Sequence, residues 1–179
     1  NKYLGTIGDF GCFSLTASKT ITTGQGGIIV TNNSKLYKKI KLLKNQGIDG
    51  KSDGGNVIHS TIGYNFKYTN LQAAMGLAQI ADIKNRAKKL IKINKLYLKK
   101  LENVKEVSVL KFDFNKGEVP LWTDVFAIKQ RDKLIDYLRQ NGVECRKFWY
   151  PLHEQKPFKE KNKNFKVSSK ISKKLFWLP

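Results

Sequence analysis

Lys19 sits in "CFSLTASKTITTGQGG" (residues 12–27), between a strand-like apolar run and a cluster of threonines and glycines, whereas the chain's other lysines fall in plainly solvated runs. A lysine held partly out of water keeps a neutral, nucleophilic amine and can form an imine with an aldehyde cofactor. Pyridoxal 5′-phosphate is the commonest cofactor of that kind. Its phosphate needs hydroxyls and backbone N–H donors near the lysine, and Ser14, Thr16, Ser18, Thr20, Thr22 and Thr23 supply the hydroxyls while the glycines let backbone approach. On residue types alone an ordinary surface lysine is the commoner meaning of such a stretch. Gly24-Gln25-Gly26-Gly27 is not followed by Lys-Ser/Thr and does not fit G-x-G-x-x-G after a strand, so the standard nucleotide-phosphate signatures are not met.

The elements that must position Lys19 read as strand, polar connection, strand: "DFGCFSL", "TASKTITTGQ", "GGIIVT". Asn32-Asn33-Ser34 then signals a turn and helix start, and "SKLYKKIKLLKNQG" carries Leu36, Ile40 and Leu43 near helical spacing until Gly47 stops it. "GIDGKSDGG" reads as a glycine-rich polar loop. "TNLQAAMGLAQIADI" reads as a helix capped by Thr69, with Ala73, Ala74, Gly76 and Ala78 allowing a neighbour, such as another subunit, to come close. An amphipathic helix follows from Asn85 with Leu90, Asn94, Tyr97, Leu98 and Leu101 on one face. Beyond it, "EVSVLKF", "LWTDVFAIK", the helix "RDKLIDYLRQNG" and "VECRKFWY" form a βαβ-like alternation, hence a small α/β domain. We therefore place the domain boundary between residues 84 and 85. The bare start and the apolar ending "LFWLP" suggest a chain cut at both ends from a longer protein.

A net charge of +20 invites nucleic acid or an anionic membrane as partner. Only four of the 34 basic residues are arginines, however, and lysine is scattered from end to end, which favours solvated faces over a binding stripe. No run of apolar residues is long enough to span a membrane, and the start has no signal-peptide pattern. With two distant cysteines, Cys12 and Cys145, neither a disulfide framework nor a cysteine metal site is indicated, and a cytoplasmic location is expected. The two histidines, His59 and His153, are not at metal-ligand spacing. Trp149 and Tyr150 read as core or interface aromatics.

"GDFGCFSLTASKTITTGQGGIIVTN" resembles the cofactor-lysine segment of the DegT/DnrJ/StrS aminotransferases. "IGYNFKYTNLQAAMGLAQI" (62–80) and "NGVECRKFWYPLHEQKPF" (141–158) resemble two further signatures, in the same order over essentially the whole chain. The resemblance implies the C-terminal part of an α/β, fold-type I aminotransferase: the end of the pyridoxal-phosphate-binding large domain (1–84), then a connecting helix and an incomplete small domain (85–179). Upstream cofactor contacts would lie outside these residues, leaving this chain without a complete active site.

The same resemblance makes Lys19 the Schiff-base lysine, Ser14 a cofactor-phosphate ligand, and Asn65 a contact to the phosphate of the neighbouring subunit's cofactor in a homodimer with shared sites. It brings His59, Lys67 and His153 forward as substrate-binding candidates. Gln25 stands where relatives often have an acid, and Lys67 where arginine is common, which removes bidentate anion geometry. The implied activity is transfer of an amino group, from glutamate, to a nucleotide-linked keto sugar in amino-sugar and surface-polysaccharide biosynthesis. The wording is nearest to perosamine-synthase-like C4 aminotransferases. Sugar dehydrases of the same fold carry histidine at the lysine position, so Lys19 favours transamination; a non-catalytic or dehydrase-type relative of the same fold and a basic nucleic-acid-binding module are the alternatives.

Overall fold

The computed structural model describes residues 2–53, 56–160 and 162–179. It divides into two compact units, Asn1–Lys84 and Asn85–Pro179.

In the first unit, β1 (Gly11–Ser14) pairs antiparallel with β2 (Gly27–Val30), Ser14 opposite Gly27. The connector between them, residues 15–26, carries Lys19. Helix α1 (Ser34–Lys44) begins where Asn33 Oδ1 accepts from Lys35 N–H and Leu36 N–H at 2.9 and 3.2 Å, satisfying donors that have no partner inside the helix. Its far end is closed from outside. Tyr64 N–H and Phe66 N–H donate to Leu43 O and Lys44 O at 2.6 and 3.0 Å, so the extended segment around Asn65 lies along the last carbonyls of α1.

The glycine-rich stretch expected as a loop is mostly strand. β3 (Ile48–Asp53) pairs antiparallel with β4 (Asn56–His59), with an irregularity between Ile48 and Ser52; Gly54 and Gly55 lie outside the described residues. Glycine and aspartate are poor strand formers, but a hairpin tolerates them where it is paired on one side only. Helix α2 (Asn70–Ile80) starts with a capping box: Gln72 N–H donates to Thr69 Oγ1 at 3.2 Å and Thr69 N–H to Gln72 Oε1 at 3.0 Å. Its small residues do not act alike. Gly76 is buried against Thr23 of this same chain, while Ala73, Ala74 and Ala78 are exposed.

Helix α3 (Ile83–Lys100) presents Tyr97 and, just beyond its end, Leu101 to the core of the second unit. There, β5 (Val107–Val109), β6 (Thr123–Ala127), β7 (Arg146–Lys147) and β8 (Leu175–Leu178) form a sheet in the order β5-β6-β8-β7, every neighbouring pair antiparallel. β6 and β7 therefore run parallel, joined through α4 (Arg131–Gln140), with β8 inserted between them. The βαβ-like alternation is thus a split βαβ unit. The apolar "LFWL" near the chain's end is its buried inserted strand, reached through the short helix α5 (Lys166–Ser172). Val125, Ala127, Ile135, Cys145, Phe176 and Leu178 form the core. Among the described residues no helix is long and apolar enough to cross a membrane.

Candidate functional site

The connector is folded by its own hydroxyls. Leu15 N–H donates to Gly26 O, continuing the β1–β2 ladder by one rung. Leu15 O then accepts twice, from Thr23 N–H at 2.9 Å and from Thr22 Oγ1–H at 3.2 Å, pulling the far end of the loop back to its start. Between these anchors Lys19 N–H donates to Thr16 O at 3.0 Å, which closes a tight turn and sets the lysine at its exit.

Of the six hydroxyl residues read as a phosphate cradle, two are already committed to the scaffold. Thr22 Oγ1 also accepts from Gly24 N–H, and Thr23 Oγ1–H donates to Gln25 O at 2.6 Å while lying 2.9 Å from the Tyr68 hydroxyl. Ser14 and Thr16 are different: both are exposed, and their hydroxyls pair with each other at 3.3 Å. A second requirement is close backbone approach. Gly26 has φ +121°, and a Cβ there would strike the Tyr68 hydroxyl, so only glycine fits between the connector and that ring.

Lys19 itself is exposed, against the expectation of partial desolvation; the covered positions of the connector are Leu15 and Thr20 to Thr23. A primary amine, two exposed hydroxyls five and three residues before it, and a glycine-rich backbone after it are nonetheless the donor set that a phosphorylated aldehyde requires.

Asn65 and Lys67 line an open groove of about 1070 Å³ with Gln25, Gly27, Phe13, Ile29 and the C-terminal half of α1; Lys19 and Ser14 are not among its lining residues. Asn65 forms a single β-bridge with Asn45, and the flanking Tyr64 and Phe66 rings stack at 5.2 Å, leaving the Asn65 side chain to the opposite side of the extended segment. His59, exposed on β4, places Nδ1 2.8 Å from Gln46 O; a carbonyl can only accept, so Nδ1–H is the donor.

His153 belongs to the second unit and is not at a rim within it. Its ring is buried, stacks on Phe165 at 4.5 Å, and places Nε2 2.8 Å from Ser169 Oγ, so packing and a hydrogen bond occupy it. Trp149 and Tyr150 are 63% and 71% exposed rather than in a core, although Trp149 sets its edge on Trp177 at 4.4 Å. Cys145 is an inert core thiol, pushed above its ordinary range by burial. Among the described residues no group of three His, Cys, Asp or Glu side chains is placed to hold a metal.

The model of the DegT/DnrJ/EryC1/StrS aminotransferase family matches residues 1–179. The chain belongs to this family. It is 31% identical over 170 residues to GDP-perosamine synthase of Escherichia coli O157:H7, covering 95% of this chain and 46% of that protein. It is 34% identical over 157 residues to the Vibrio cholerae GDP-perosamine synthase, covering 85% and 41%. Among solved structures, a putative sugar aminotransferase, Spr1654 from Streptococcus pneumoniae in its PMP form, superposes with a TM-score of 0.85 at 19% identity, covering 98% of this chain and 49% of that one. The chain thus has the α/β fold of these aminotransferases and spans about half the length of the relatives it matches. Pyridoxal phosphate is the cofactor of the family, and the donor set around Lys19 fits it.

The reading from sequence missed Gln79 and Tyr68, which brace the connector from 57 and 45 positions away. One signal was present: Gln72, Gly76 and Gln79, at i, i+4 and i+7, form a polar stripe on an otherwise apolar helix.

Proposed function

We propose that the protein to which this chain contributes is a pyridoxal-phosphate-dependent aminotransferase that moves an amino group from glutamate to a nucleotide-linked keto sugar, working in the cytoplasm on surface amino-sugar synthesis. The observation that carries this is the Lys19 turn, an accessible amine set between exposed hydroxyls and a glycine-rich return strand in a chain of this family.

Lys19 would hold the cofactor through Nζ, and Ser14, with Thr16 beside it, would donate hydroxyl hydrogen bonds to its phosphate. When bound, the cofactor stores the electron pair released as a proton leaves the substrate carbon. The protein's part is to move that proton. Once the amine of the donor has replaced it on the cofactor, the freed Lys19 Nζ would accept that proton as a general base and return one as a general acid, and one amine held in place would do both without a diffusing partner. The support for sugar nucleotides is the identity to GDP-perosamine synthases. Lys67 and His59 would meet the anionic and hydroxyl parts of such a substrate, Lys67 as a point charge without a bidentate fork.

We also infer a two-fold dimer in which Asn65 serves the neighbouring copy. Its side chain is exposed on a groove wall, and α2 leaves Leu71, Met75, Leu77 and Ile80 uncovered among the described residues. Full activity in a protein shown to be monomeric at high dilution would refute this.

The function is tested by loading the full-length protein with pyridoxal phosphate, reducing with borohydride and mapping the label. The label is expected on Lys19 alone; its appearance on another lysine would sink the reading.

A further inference from the structure

The turn that carries Lys19 is gripped by one side chain from a helix distant in sequence. Thr22 N–H donates to Gln79 Oε1 at 3.1 Å, and Gln79 Nε2–H donates to Thr22 O at 2.6 Å, across 57 positions. Both main-chain groups of a single residue are thereby satisfied by one carboxamide, the side-chain head that offers a donor and an acceptor side by side. The same Nε2 donates its other hydrogen to Met75 O at 3.0 Å, one turn back along α2, which keeps the amide from swinging.

The rest of that helix face is built for the same contact. A Cβ on Gly76 would lie 3.1 Å from Thr23 Cγ2, so glycine brings α2 and the connector together, and Gln72 Nε2–H reaches Gln25 O at 3.5 Å. Thr22 is three residues beyond Lys19 and closes the loop onto Leu15 O. Fixing its backbone fixes the far side of the lysine turn. An amine that must meet one carbon and return a proton to it loses roughly a hundredfold in rate for a misplacement of about 1 Å.

We propose that Gln79 is a positioning residue for Lys19: by clamping both main-chain groups of Thr22, it holds the turn in the geometry from which the amine reaches the cofactor. The proposal rests on the reading of Lys19 given above. It assigns Gln79 no contact with cofactor or substrate.

The test uses the full-length protein with Gln79→Met, which keeps the length and removes both bonds, and Gln79→Glu, which keeps only the acceptor while ionised. Hydrogen exchange is read at Thr22 and along α2, and pyridoxal phosphate labelling of Lys19 is timed by borohydride quench. In Gln79→Met, exchange at Thr22 should quicken about tenfold, the loss of one net hydrogen bond, with α2 protection unchanged and labelling slowed by about the same factor. In Gln79→Glu, lowering the pH through the carboxylate range protonates the side chain and restores a donor-acceptor pair. Protection at Thr22, corrected for intrinsic exchange, should then rise toward wild type. Wild-type exchange at Thr22 in Gln79→Met, or faster exchange with labelling unchanged, overturns the proposal. If that variant loses α2 protection altogether, the Gln79→Glu response decides, and a flat response overturns it. Absence of label on Lys19 in the wild type instead overturns the functional reading, while the exchange result still reports on the clamp.

Discussion

Asn1–Lys84 and Asn85–Pro179 treat their apolar residues in opposite ways. In the second unit, "LFWL" of β8 is buried at all four positions, because β6 and β7 flank it and Ile135 of α4, itself fully buried, covers the core beneath. In the first, the comparable "GIIV" of β2 leaves Ile28 and Ile29 44% and 52% exposed, and α1 buries no residue at all. The residues able to do chemistry show the reverse distribution. Lys19, Ser14, Asn65, His59 and Lys67 all lie exposed in the first unit, whereas His153 in the second is enclosed by packing. A unit held by hydrogen bonds between loops and helix caps can keep its surface open to ligands, but it is stable only when other surface covers its apolar faces. A unit with a closed core can stand on its packing and has fewer groups left to offer.

The largest effect that would break this contrast is on activity. Lys19→Ala should abolish the trapped label and lower transamination by at least a thousandfold, since anchor and proton carrier are lost together. Because Lys19 is exposed, its removal should leave the thermal midpoint of the cofactor-free protein unchanged. Lys19→Arg should fail equally, as a guanidinium neither attaches to an aldehyde nor accepts the proton. A Lys19→Ala protein still turning over near wild-type rate would remove the first unit's claim to the chemistry.

Phe176→Ala should be the mirror image. Phe176 is 1% exposed in the core formed with Val125 and Ile135, and truncation there should cost about 3–5 kcal/mol in denaturant unfolding. Activity per folded molecule should hold.

What was legible in the sequence follows the same division between local and distant causes. Thr69 and the Asn33–Ser34 start were readable because caps are satisfied within four residues, and Gly142 takes the left-handed position that ends α4 with φ +78°, whereas after α1 it is Gln46, at φ +60°, that does so, with Gly47 one residue beyond. The Lys19 segment was readable as motif. The β3–β4 hairpin was not, since its pairing overrides the low strand propensity of its glycines and aspartates. Nor was the place of β8: an apolar tetrapeptide does not say that it inserts between two strands that α4 connects. The burial of His153 depends on Phe165 and Ser169, and the Gln79 clamp on a residue far back in the chain, contacts that no local pattern encodes.

A smaller effect sharpens the contrast by exposing a flaw in the well-packed unit. Asn94 was read as part of the apolar face of α3 and is 1% exposed, yet neither atom of its amide has a hydrogen-bond partner among the described residues. An orphaned buried amide is destabilising, so Asn94→Leu should raise stability by about 1–2 kcal/mol. A loss of stability would mean that the amide is satisfied in the whole protein.

The smallest effect concerns charge at the edge of that unit. Asp132 accepts from Arg131 at 2.8 Å and from Lys147 Nζ at 2.9 Å, and these hydrogen bonds, Arg131 first, hold its carboxyl below the usual carboxylate range. A depressed value in the folded state means that the native protein binds this proton less readily than the unfolded chain. The stabilisation is therefore complete above the unfolded carboxylate's value, about 3.9, and is lost as pH falls through the folded one. The side chain is 56% exposed, so solvent screens the pair. Asp132→Asn should lower stability by only about 0.5 kcal/mol at pH 7. The gap to wild type should narrow as pH falls below the unfolded carboxylate's value and close once the depressed folded value is also passed, where both proteins carry a neutral side chain at this position. Denaturant titrations at pH 7 and in acid read this directly. A gap of equal size at both would show that packing by the Asp132 side chain, and not its charge, joins α4 to β7.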